Sequence, residues 1–119
     1  MTPESLPALL NEAPEKIEFD QIMALIAEHF DYRPSRFVNG DGEKQVINEA
    51  GSNEGSCKIF ALGQLLQLNK AQTLACFGRY YREDVLQHPD ADDHANIRTF
   101  MRHGWEGIEF EQIALTRKS

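Results

Sequence analysis

Cysteine is scarce in this chain of 119 residues, with Cys57 and Cys76 its two examples. They form no CxxC pair, no Cys/His zinc spacing and no disulfide framework, so two reduced thiols in a reducing compartment are expected. Long apolar runs are also lacking. No stretch approaches the roughly 18 residues that cross a bilayer, and Met1-Thr2-Pro3-Glu4-Ser5-Leu6-Pro7 lacks the basic-then-apolar order of a secretory leader. Positive charge is outnumbered: 12 Lys and Arg stand against 19 Asp and Glu, a formal net charge of -7. That balance argues against nucleic acid and anionic membranes as partners. A soluble chain, made in the cytoplasm, is the expectation.

What is present suffices for one domain spanning 1–119. A hydrophobic fraction of 41% in this length can bury a core without a metal or disulfide staple. Leu6, Leu9 and Leu10 suggest a short helix ending before Pro14. Phe19, Ile22, Met23, Ile26 and Phe30 form one amphipathic stripe, broken near Asp31-Tyr32 by Pro34. Arg36-Phe37-Val38 and Gln45-Val46-Ile47 flank Asn39-Gly40-Asp41-Gly42 and read as a hairpin near 36–49. A third helix is expected from Ser56 to Leu68. A fourth starts at Asn69, with Gln72 in capping-box register, and runs through Leu74, Phe77, Tyr81 and Val85 towards Pro89. Asp92 or Asp93 is placed to cap a fifth, which Gly104 stops. A C-terminal strand near 107–116 alternates at Ile108 and Phe110, then slips phase at Ile113 and Leu115, which predicts a bulge near Glu111-Gln112. The sum is an α+β fold, about five helices packed with a small antiparallel sheet made of the hairpin and the C-terminal strand.

One stretch carries the best candidate for chemistry. Gly51-Ser52-Asn53-Glu54-Gly55-Ser56-Cys57-Lys58 is a glycine-bracketed polar loop running into a helix. Glycines let successive N–H groups turn towards a ligand, and the helix start adds partial positive charge. Asn53, Gly55, Ser56 and Lys58 are thus candidate anion-binding residues. Cys57, in the first turn beside Lys58, is a candidate low-pKa nucleophile; packing as a small hydrophobe is the competing reading. A cysteine-dependent hydrolase or transferase needs a base, and His94 is the best placed because Asp93 or Asn96 could orient it. Asn96 and Arg98 are the second-side contributors to a ligand site. The loop is not a nucleotide-binding P-loop, since Lys58 does not follow the second glycine.

Other groups yield less. His88-Pro89-Asp90-Ala91-Asp92-Asp93-His94 gathers metal-ligand types, but acids before a helix serve capping and the helix dipole, so no metal is expected. Arg79 with Arg82, and Arg98 with Arg102, could grip an anion or simply pair with the many acids. Cys76, inside an apolar helix, reads as core. No cofactor signature is present.

A set of residues in order carries a likeness. Asn48-Glu49-Ala50-Gly51, Asn53, Gly55-Ser56-Cys57-Lys58-Ile59-Phe60, Phe77, Tyr80-Tyr81, Asp93-His94, Asn96-Ile97-Arg98, Phe100 and Gly104-Trp105 resemble the HopJ type III effector protein family over nearly the whole chain. The resemblance implies a small bacterial single-domain protein, made in the bacterial cytoplasm and linked by family name to type III secretion into plant hosts. It implies no catalytic residues. The expected function is binding or interaction, with an anion-accepting loop at 51–58 and an unknown protein or small anionic ligand as partner. The cysteine-dependent reading with Cys57 and His94 is the alternative.

Overall fold

The computed structural model describes residues 1–118, within overall extents of 40 × 31 × 20 Å. Its order begins with α1 (Leu6–Glu12), a 3-10 turn at Pro14–Lys16 and α2 (Phe19–His29). The apolar stripe of α2 buries Ile22, Leu25 and Ile26, and Gln21 reaches back to the Glu18 N–H at 2.9 Å. The helix stops at His29. Phe30, on the expected stripe, instead starts strand β1 (Phe30–Tyr32).

The expected hairpin is formed by β2 (Phe37–Asn39) and β3 (Val46–Asn48), paired antiparallel with Phe37 opposite Asn48 and Asn39 opposite Val46. Helix α3 (Glu54–Leu66) follows and is the core of the molecule. Its consecutive residues Ile59, Phe60, Ala61, Leu62 and Gly63 are all buried, so it is covered on nearly every side. Phe60 meets Phe37, Phe77, Phe100 and Trp105 at ring-centroid distances from 4.9 to 6.3 Å. Trp105 lies so close to Gly63 that a Cβ there would come within 2.7 Å of the indole.

The long fourth helix of the sequence reading is broken in two. Helix α4 (Lys70–Ala75) starts as expected, with Asn69 accepting from the Gln72 N–H at 2.8 Å. Gly78, at φ +60°, then turns the chain, and Tyr80–Val85 forms a π-helical segment with Leu86 N–H bonded to Tyr81 O. Helix α5 (Ala95–His103) ends at Gly104, φ +62°, as its stop signal implied. Its N-cap is His94 rather than Asp92 or Asp93.

The tail is two strands, not one with a bulge. β4 (Ile108–Phe110) pairs antiparallel with β2, giving sheet order β3-β2-β4. β5 (Leu115–Arg117) pairs antiparallel with β1 in a separate two-stranded sheet. The phase slip at 111–114 marks where the chain leaves one sheet and joins the other, so that Ile108 and Leu115 are both buried despite opposite parity.

Candidate functional site

The starts of α3 and α5 face the same opening. A groove of about 360 Å³ is lined by Asn53, Gly55 and Ser56 from one helix start and by His94, Ala95, Asn96 and Ile97 from the other. Phe19, Val46 and Phe77 complete its walls.

Both N-cap residues take a left-handed backbone conformation, φ 49° at Asn53 and φ 51° at His94, where non-glycine residues are uncommon. An ordinary N-cap is extended and folds its side chain onto the first N–H groups. Here neither side chain caps its own helix. Asn53 Nδ2 donates instead to Asn48 Oδ1 at 2.7 Å. The His94 ring bonds Asp84 Oδ2 through Nε2 at 3.0 Å and stacks obliquely on Tyr80, with ring centroids 5.3 Å apart. Two helix N-termini are therefore left uncapped by their N-cap side chains on one groove.

Four asparagines fix their separation. Asn48 Oδ1 accepts from Asn53 on the α3 side and from Asn96 Nδ2 at 2.9 Å on the α5 side. Asn48 Nδ2 returns a bond to Asn96 Oδ1 at 3.1 Å, and Asn39 Nδ2 donates to both the carbonyl and the side-chain oxygen of Asn96. Asn39, Asn48 and Asn96 are buried, while Asn53 is exposed. An aromatic series also links the two sides: Phe19 packs edge-on against Tyr80 at 5.2 Å, and Tyr80 continues to His94. Gly55 is required here, since a Cβ would lie 2.7 Å from the Phe19 ring.

Of the residues singled out in the sequence, Asn53, Gly55, Ser56, His94 and Asn96 meet at this groove. Cys57, Lys58 and Arg98 are placed elsewhere. The Cys57 side chain is buried, with Sγ facing Ser35 O at 3.8 Å, and it does not line the groove that His94 lines. Loss of solvent pushes its thiol pKa up, outweighing the lowering influence of backbone hydrogen bonding at Ser35 and of Tyr32, so burial opposes the thiolate setting anticipated from its place in the helix. Lys58 Nζ sits 4.7 Å above the Tyr32 ring. The Arg98 guanidinium is engaged by the loop before its own helix and by the end of the π-helical segment, reaching Asp93 O, Asp93 Oδ1, His88 O and Asp84 O at 2.6 to 3.3 Å. Its bonds hold the Asp93 carboxyl below the usual range. Arg79 and Arg82 both converge on Glu18.

The sequence reading missed Asn39 and Asn48 as parts of the site. A signal existed: both are polar residues on the inward parity of short β-prone pieces, Asn39 in phase with buried Phe37 and Asn48 in phase with Val46. Among the described residues no group of three or more His, Cys, Asp or Glu is arranged to hold a metal ion, and no helix is long and apolar enough to cross a membrane.

The fold is similar to the crystal structure of VPA0580, titled a protein of unknown function. The two share 54% identity over 97% of this chain and 92% of that one, with a TM-score of 0.91. No curated protein matches the chain. The family model described as HopJ type III effector protein matches residues 4–115, nearly the whole length, and the chain thus belongs to the HopJ family.

Proposed function

We propose that this HopJ-family chain is a binding protein whose site is the groove between the starts of α3 and α5, and that its ligand is a small anion or the anionic end of a larger molecule. The observation that carries this reading is the pair of helix N-termini, each uncapped by its N-cap side chain, opening on one groove. Such ends carry partial positive charge, and their free N–H groups are made for an oxyanion. Phe19, Phe77 and Ile97 offer apolar contact beside that polar end. With an overall charge of -7, attraction is local to the groove rather than spread across the surface.

The test is a thermal-shift series with inorganic phosphate, sulfate and small carboxylates on the wild type and on Ala95→Glu and Ser56→Glu. These substitutions put a carboxylate in the first turn of each helix, where the dipole favours it, so the fold is preserved while the groove is filled with negative charge. Wild-type protein should be stabilised by about 2.7 kcal/mol at one hundred times the dissociation constant, and both variants should lose that response. An unmoved wild type, or an equal response in all three proteins, ends the proposal. The cysteine-dependent alternative has the burial of Cys57 against it. Export through a type III system rests on the family's name. It is tested by comparing secretion of the full chain from a competent strain and from one lacking the apparatus, where equal amounts outside both would count against it.

A further inference from the structure

We infer that His94 sets the charge state this groove accepts: a fully ionised oxyanion enters together with one proton, which the His94 ring takes up. The inference rests on the anion reading of the same groove proposed above. Among the described residues His94 is the sole ionisable side chain in the groove lining. As the N-cap of α5 it stands beside any anion held at that helix start. Its Nε2 meets the Asp84 carboxylate at 3.0 Å, and a carboxylate only accepts, so Nε2 carries the proton of the neutral ring. Nδ1 then holds a lone pair. It makes no hydrogen bond among the described residues and is not one of their buried, partnerless atoms, so it is open to water.

The charges around the ring decide the sign. Two carboxylates lie beside it, Asp84 at 3.0 Å and Asp93 at 3.9 Å. One guanidinium answers them, with Arg98 bonded to Asp93 Oδ1 at 2.7 Å and to the Asp84 carbonyl. Two acids and one base leave this corner with one negative charge while the ring is neutral, and with none once it is protonated. Tyr80, stacked on the ring, is a phenol and adds no charge near neutrality. Across the groove the α3 start contributes Asn53, Gly55 and Ser56; its Glu54 is not part of the lining, and Glu18, ahead of Phe19, is held by Arg79 and Arg82. An oxyanion brought to the neutral ring therefore meets a lone pair and a negative corner. After one proton is taken up, the same anion meets an N–H donor and a neutral corner. Anion and proton each favour the other, as linkage requires.

Inorganic sulfate is the probe, because it stays fully ionised across the histidine range and brings no proton of its own. Isothermal titration calorimetry of the full chain at about pH 7.5, in two buffers of different ionisation enthalpy, counts the protons, and titrations at about pH 6 and about pH 8.5 bracket the histidine range. Wild type should take up more than about half a proton per sulfate, and should bind at least about tenfold more weakly at the higher pH. His94→Asn, a residue type that tolerates the left-handed backbone there, should bind with no proton uptake. Asp84→Asn keeps an acceptor for the ring and removes one negative charge, so it should bind more tightly than wild type at the higher pH; weaker binding would overturn the charge count on which the inference stands. Sulfate that binds wild type without proton uptake overturns the inference and leaves the anion site standing. So does an uptake that His94→Asn retains, which would place it on another histidine. A chain that binds sulfate at neither pH overturns the inference, and if phosphate and carboxylates also leave its melting temperature unmoved, the anion site falls with it.

Discussion

A thiol four places into a helix feels opposing influences: the helix start favours its anion and burial disfavours it. Cys57 is 1% exposed, and burial prevails. The expected result is slow alkylation at neutral pH in a Cys76→Ala background, with a rate that climbs only above the ordinary thiol value of about 8.5. A rate already at its plateau below about pH 8 would show an activated thiolate and revive the cysteine chemistry. The direction follows from the sign: a raised pKa keeps the thiol neutral, and neutral thiols do not attack. This was the least legible part of the site. Position in the chain shows that Cys57 sits in a first turn, but not that the residue points inward to Ser35 instead of outward to the groove.

At the scale of elements, most of what could be read locally was read correctly, the N-cap of α5 at His94 in place of Asp92 or Asp93 being an exception. Asn69 with Gln72, the stripe of α2 and Gly104 after α5 are signals whose cause lies within a few residues of their effect. The larger errors fall where the cause is distant. Gly78 alone does not show that the fourth helix breaks there, and the neighbour that requires a glycine at the break is distant in sequence, the backbone of Glu18 and Phe19: a Cβ on Gly78 would lie 2.7 Å from the Phe19 nitrogen. Gly78→Ala should combine left-handed strain with overpacking and cost about 2–4 kcal/mol. Gly51, at φ +88° with open space around it, separates the two contributions, and Gly51→Ala should cost only the strain, about 1 kcal/mol. Chemical denaturation of both variants checks this. Equal losses would mean that contact with α2 contributes nothing to the break.

On the scale of the whole molecule, the fold class was legible because periodicity and turn residues announce how many helices and strands there are. The partition into two sheets was not, because β1 looks like the last turn of a helix until β5 arrives to pair with it. That pairing joins Phe30 to Arg117, so it links early and late parts of the chain. Its consequence is one of timing. Until β5 has been made, the edge of β1 lacks the strand it pairs with in the fold, and this sheet closes only after the other described elements have been made. Contacts so far apart in sequence are slow to form and leave sticky surface waiting. The nascent chain is thus open to aggregation along the segment that follows α2 until β5 pairs with it.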